Sequence, residues 1–518
     1  MKSRTSHQDP KEGPHGTSGI AKLALLLLLG LPLAFGPELV YGSGTSFILS
    51  SLGLGVFSCI RTLINPPFDP PNVGGLLGAN TLALDPFSGA KVVRVTDYNT
   101  IGPAPPQPSY QVDPGGSAEV NFMDSSDSYF YVSDTGAGLE PFTWNAQTMQ
   151  ASRMYPSYYP STNGMRIITA STGGEFSYTV PGRMYDMEYG ASNNHNPEIF
   201  YYDFRQPSPP SRTPVFDFGN SSACAPSGVT FEGQTQWADP PTVSRDDQTF
   251  GAAISTVAGQ GNAEYVVAYN RTQGCRWWDT ATGQVGGQWG GPGLVSGVTE
   301  TFKVHNARLS LNGDWMRVDR QSCLNGSGSG GSCLYIVYFW QIGTNNITAS
   351  TVQSSGHLAL GYGHAVNDST FPYQQSVELA PMNTPENGAE LWATGPSEYT
   401  PWDAHFSWQN ANRADSNIIF ASTFTTGIEV PTQAWNNEID GFSANGSGAV
   451  FRFGRNYITA NPAATFAASQ GIGSVSADAK FFGFSSDWNC QLGSTSGGST
   501  GTQSPYDCRA DVFILQLR

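Results

Sequence analysis

The residues best suited to chemistry in this 518-residue chain are the histidines between positions 305 and 405. Imidazole titrates near neutral pH and is the commonest metal-ligating side chain. His305 and His405 stand where inner strands are expected to begin, and His364 follows in the stretch Gly361 to Asn367. Converging, His305, His364 and His405 would hold a divalent metal (Zn, Mn or Ca) with one position open. His305 and His405 would equally serve as bases, with Arg308 as a cation and Tyr362 as a proton donor. Asp239, Asp403, Asn306 and Trp408 complete the set as substrate-binding candidates, three polar groups and one ring able to stack on a sugar. The same residue types also bond neighbouring turns, and that structural role stands beside the chemical one.

A hairpin must position them. In the segment Lys303 to Trp315, a period of two puts Val304, Asn306, Arg308 and Ser310 on one face and His305, Ala307 and Leu309 on the other, ahead of a polar turn. Variants run from Asp239 to Asp247 and from Gly471 to Asp478, with Ser244, Ser310 and Ser476 in equivalent places. The residue five before each serine is Asp239, His305 or Gly471. If the hairpins are equivalent, those positions share one height on an axis. That register predicts a polar funnel at one end of a channel, with His305, His364 and His405 inside and Asp239 and Asp403 on its rim.

Sixty glycines, 35 prolines and 12% aromatic residues favour short strands and tight turns, so the chain is expected to be all-β. A second pattern, an apolar then a polar residue before a turn, recurs at Asp85, Trp144–Asn145, Tyr202–Asp203, Trp278–Asp279, Trp340–Gln341 and Ile439–Asp440, with a worn copy at Leu391–Trp392. Spacings of roughly 60 to 100 residues mark repeated supersecondary units. The expected fold is a single β-propeller of six or seven blades over residues 80–518, its ring closed by pairing residues 90–96 with the C-terminal strand 510–517.

Residues 1–42, basic and then apolar from Leu23 to Phe35, read as a signal peptide or N-terminal anchor, and residues 43–79 as a Pro/Gly-rich linker. Among the seven cysteines, Cys323 with Cys333, Cys490 with Cys508 and Cys224 with Cys275 flank loops that disulfides would close. Both features predict a secreted or periplasmic protein, possible membrane contact being confined to the N-terminus. The net charge of −16, without a basic cluster beyond the leader, excludes a phosphate-backbone footprint, so nucleic acid is not an expected partner.

The run Trp278-Asp279-Thr280-Ala281-Thr282-Gly283 resembles the blade end of WD40 propellers, and the turns at Ser244, Ser310 and Ser476 resemble those of TolB-type propellers. Blade-entry histidines are similar to those that oligogalacturonate lyase, a related propeller, presents to a metal and an acidic sugar. That family's clustered His and Gln motif is not reproduced, since His405 has no adjacent His. The resemblance implies a monomer that binds, and cleaves by a lyase reaction, an extracellular glycan at the channel mouth. The alternative is a non-enzymatic module that docks a surface protein.

Overall fold

The computed structural model describes most of the chain from Leu76 to Arg518, together with a hairpin of Ser46–Ile48 and Val56–Ser58. Residues 1–45 and many connecting stretches, among them 101–109, 156–167, 188–196, 235–240, 296–301, 323–333, 351–357, 394–401, 426–436, 459–470 and 494–507, lie outside the described residues.

Seven antiparallel sheets follow one another as the blades of a β-propeller. Blade 1 holds Tyr110–Gln111, Tyr129–Asp134, Gly138–Asn145 and Gln150–Arg153, and blade 2 holds Glu175–Phe176, Arg183–Met187, Glu198–Asp203 and Thr213–Asp217. Blade 3 is the widest, from Gly233–Gln234 and Thr242–Val243 through Thr249–Ser255, Tyr265–Asn270 and Gly274–Asp279 to Gln284–Gly287 and Gly293–Leu294. Blade 4 runs Val304–Leu309, Trp315–Ser322, Leu334–Gln341 and Ile347–Ala349; blade 5 runs Ala359–Leu360, His364–Phe371, Gln374–Pro381 and Ala389–Ala393. Blade 6 runs Trp402–Ser407, Ile418–Thr425, Glu438–Ser443 and Val450–Arg455.

Blade 7 takes strands from both ends of the chain. Gly473–Val475, Phe481–Ser486 and Asp511–Gln516 come from the C-terminal side, Lys91–Arg94 and Thr81–Leu84 from the N-terminal side. Val92, Val93 and Arg94 pair with Leu515, Ile514 and Phe513, as the closure expectation required. A buried ion pair locks the seam: Arg94 Nε donates to Asp511 Oδ2 at 3.0 Å, and Thr96 Oγ1 donates to Asp511 Oδ1 at 3.1 Å.

The core lies between blades, where alternate strand residues of one sheet meet those of the next. Trp278 of blade 3, for instance, packs edge-on against Trp340 of blade 4, with ring centroids 5.9 Å apart.

The apolar–polar repeat marks inequivalent places. Trp144–Asn145, Tyr202–Asp203 and Trp340–Gln341 end third strands; Trp278–Asp279 ends a fourth strand, and Ile439–Asp440 and Leu391–Trp392 lie inside strands. The face expected for Val304 is also corrected. The ladder between Val304–Leu309 and Trp315–Ser322 shifts register between Val304 and Asn306, so His305 is an inserted bulge residue. Val304 therefore packs in the core with Ala307 and Leu309.

Candidate functional site at the axial turns

Four turns joining a first strand to a second share one construction. In Ser244–Thr249, Ser310–Trp315 and Ser476–Phe481 the serine Oγ accepts the backbone N–H five residues on, at 2.9, 3.0 and 3.1 Å. Asp124 Oδ1 does the same for Tyr129 N–H at 2.8 Å. The residue three after the start is left-handed in each: Asp127 (φ 52°), Asp247 (φ 56°), Gly313 (φ 72°) and Ala479 (φ 60°). A side-chain acceptor bonding its own turn offsets the cost of that conformation.

Because these turns cap innermost strands, they gather at one end of the axis. Arg245 N–H donates to Leu311 O at 2.8 Å, and Leu311 N–H donates to Gly361 O at 2.9 Å. Asp247 Oδ2 accepts from Ser177 Oγ at 2.5 Å. Lys480 Nζ reaches Asp127 Oδ2 at 3.0 Å, and Arg245 Nη2 reaches the carbonyl of Ala477, in blade 7, at 3.4 Å.

One position on the inner strands, two residues before the turn, stitches blades together. Thr242 Oγ1 accepts from Leu309 N–H at 3.0 Å, and Ser474 Oγ donates to Val120 O at 2.6 Å. Ser407 has the same task, accepting from Val475 N–H at 3.0 Å. In blade 2 this position is Glu175, whose Oε2 accepts from Val243 N–H at 3.2 Å, and in blade 4 it is Arg308. A carboxyl and a guanidinium thus stand where blades 3, 6 and 7 carry a hydroxyl.

Glu175 and Arg308 face a small cavity at the axis, walled by five blades, with Tyr178, Thr242, Leu311 and Trp408 among its lining. It offers about 20 Å³ to the centres of water molecules, room for one or two waters or a group of that size. Burial is the main cause that pushes the Glu175 carboxyl up from 4.5 to about 7; Arg308, the Val243 amide and the Tyr178 hydroxyl, which donates to Oε1 at 3.1 Å, pull it down, and Asp247 adds to the rise. Burial, followed by the charge of Glu175, holds the Tyr178 hydroxyl well above the usual phenol range. The Arg245 guanidinium covers the Tyr178 ring, 5.2 Å from its centroid.

Tyr362 and His364 follow Leu360, a lining residue of this cavity, on the turn into the second strand of blade 5. Asp415 accepts from the N–H groups of Tyr362, Gly363 and His364 at 2.8, 2.7 and 3.0 Å, and its Oδ2 lies 2.9 Å from His364 Nδ1. The His364 side chain is 36% exposed. Gly361 fits between Asp415 and the Trp408 ring, where a Cβ would come within 2.6 Å of the indole. Arg413 sits over the Tyr362 ring, 5.8 Å from its centroid.

Of the residues singled out in the sequence, Arg308 and Trp408 meet at the cavity, and Tyr362 and His364 lie on the turn that follows Leu360 of its wall. His364 and His405 do not share one polar funnel. His305 precedes Ser310 by five residues, which places it roughly 16 Å along its strand from the turn end where His364 stands. His405 is fully buried in blade 6, its ring stacked on Phe424 at 5.4 Å. Among the described residues, no group of three or more His, Cys, Asp or Glu side chains is placed to hold a metal ion. Asn306 and Trp408 are both buried, the Trp408 Nε1 donating to Asn417 O at 3.3 Å. Asp239, and the side chains of His305 and Asp403, lie outside the described residues.

Glu175 and Tyr178 were missed. Their signal was present, because Glu175 precedes Ser177 by two residues as Arg308 precedes Ser310, but the turn that follows runs on to Gly182 and breaks the repeat.

Disulfides join Cys224 to Cys275 and Cys490 to Cys508, with Cα separations of 5.2 and 5.1 Å, as expected for an oxidising compartment. The pair Cys323 and Cys333 lies outside the described residues.

Solved propellers share this architecture. Oligogalacturonate lyase from Vibrio parahaemolyticus aligns with 84% of this chain and 96% of its own, at 8% identity and a TM-score of 0.44. TolB from Acinetobacter baumannii aligns over 50% and 51%, at 12% identity and a TM-score of 0.28. The WD40 domain of Toxoplasma gondii coronin aligns over 78% and 82%, at 8% identity and a TM-score of 0.36. At these identities the likeness is one of fold. No protein-family model and no curated protein matches the sequence.

Proposed function

We propose that the protein is an exported propeller that binds an acidic extracellular glycan at the turn end of its axial channel. The observation that carries this reading is the cavity at the axis, where Arg308 faces a space the size of a carboxylate and Glu175, Tyr178 and Trp408 close it. A sugar ring is too large for that space. Its carboxylate would enter, and the ring would lie over Tyr362, His364 and the neighbouring turns.

One further observation extends the reading to lyase-type cleavage. Asp415 fixes the His364 ring through Nδ1, which turns Nε2 outward as a base at the rim. In such an elimination His364 would take the proton α to the uronate carboxylate and Arg308 would neutralise the growing charge. The bond from the β-carbon to the leaving oxygen would break as the double bond forms, and the leaving oxygen would take a proton from Tyr362 or water.

The test is calorimetric titration of the mature protein with uronate oligomers and with neutral oligosaccharides of equal length, alongside the ultraviolet absorbance of an unsaturated product. Binding of the acidic oligomer alone, lost in Arg308→Met, is the expected result. Product formation lost in His364→Ala with binding retained would extend it to catalysis. Failure of every acidic oligomer to bind would overturn the reading in favour of a protein-docking module.

A further inference from the structure

We propose that a carboxylate enters the axial cavity together with one proton, which is taken up by Glu175. The proposal rests on the glycan-binding reading and adds its regulation. The geometry is of two opposed groups on one small space: Arg308 from blade 4 and Glu175 from blade 2, at the same register position of their inner strands. Both Glu175 oxygens already accept, one from the Val243 amide and one from the Tyr178 hydroxyl. An incoming anion therefore meets a carboxylate with no donor to offer it.

Among the described residues, four charged or titratable groups bear on Glu175 or its partner Tyr178. Arg308 and Tyr178 line the same cavity, Asp247 acts from the blade 3 turn, and Arg245 stacks over Tyr178. With Glu175 ionised, its charge cancels that of Arg308 at the cavity and repels an anion. With Glu175 protonated, that repulsion is gone, the Arg308 guanidinium still lines the cavity, and the carboxyl O–H becomes a donor to the guest. Burial already places this carboxyl where it changes state near neutral pH, so the exchange falls in an accessible range. An anion bound beside it favours the protonated form further, and binding and protonation must strengthen each other equally.

The experiment is calorimetry on the mature full chain with formate, which fits the cavity, and with a uronate oligomer, from pH 6 to 9 in two buffers of different ionisation enthalpy. Above the Glu175 titration, affinity for formate is expected to fall about tenfold per pH unit, with one proton taken up per anion bound at pH 8. Glu175→Gln should bind formate with no slope and no proton uptake, and Arg308→Met should not bind it at any pH. Thermal melts establish that both variants are folded; should Glu175→Gln not fold, the buffer dependence of the wild-type chain decides alone. A pH-independent formate affinity, binding without proton uptake, a slope that survives in Glu175→Gln, or no formate binding at all would each overturn the proposal. Formate behaving as expected while the uronate oligomer never binds would leave the proton coupling standing and remove the glycan reading.

Discussion

Glu175 and Glu438 are both buried carboxyls within reach of a guanidinium, yet the molecule uses them differently. Glu438 lies in the third strand of blade 6, fully buried with Arg452, whose Nε donates to Oε2 at 2.5 Å while Nη2 grips Oε1. Arg455 adds a contact at 3.7 Å. Asp440, two residues along, is pushed well above the carboxylate range by burial and then by the charge of Glu438. That cluster is closed and committed to the blade. Glu175 has an amide and a phenol for partners, and Arg308 acts on it at a cavity instead of clasping it. A fork matches a carboxylate with charged donors; a carboxyl held by two neutral donors beside a cavity keeps its proton in exchange.

The sharpest way to test the difference is to remove one partner from each. Arg452→Met should cost about 3–5 kcal/mol, because it leaves Glu438 charged and buried with only the distant Arg455. Replacing both partners, Glu438→Leu with Arg452→Met, should recover much of that loss. Urea unfolding reads both numbers, and a stability loss in Arg452→Met below about 1 kcal/mol would mean that the blade 6 cluster is no more committed than the axial one.

The second prediction concerns pH. The folded carboxyl of Glu175 titrates near 7 against an ordinary 4.5, so between those values the folded chain holds a proton that the unfolded chain has lost. Stability from this group is therefore present in full below 4.5, falls as pH rises towards 7, and stays lower above it, a difference of about 3 kcal/mol. Glu175→Gln should remove that slope and be more stable relative to wild type at pH 8 than at pH 5. Unfolding curves of both chains at the two pH values check it. Equal differences at both would show that Glu175 is ionised throughout, like a committed carboxylate.

How much of this was legible in the sequence depended on whether a residue's role was local. The serine turns were readable because each is made by a side chain and its own backbone within five residues, and they led to the right fold and to Arg308. The closing strands could be named because a ring with a free edge is unstable, whatever its sequence. The placing of the histidines was not legible for a physical reason. Alternation fixes which face a residue takes but not which end of the axis it reaches, and the bulge at His305 disturbs even the face. Glu175 became important only through Arg308, Tyr178 and Val243 on neighbouring turns and blades, which no local pattern displays.

The smallest expected effect is the most specific. Tyr178→Phe deletes the hydroxyl that donates to Glu175 Oε1 at 3.1 Å and leaves the ring under Arg245 in place. The stability cost should be about 1 kcal/mol, the usual value of one hydrogen bond. Its direction on the carboxyl is the informative part. That hydrogen bond favours the charged form, so losing it should raise the Glu175 titration further, and the pH at which the stability slope levels off should move upward. Isotope-edited infrared spectroscopy of the protonated carboxyl band follows the same shift directly. A titration that moved down, or not at all, would mean that Tyr178 does not hold Glu175 and that the axial carboxyl takes its character from burial and Arg308 alone.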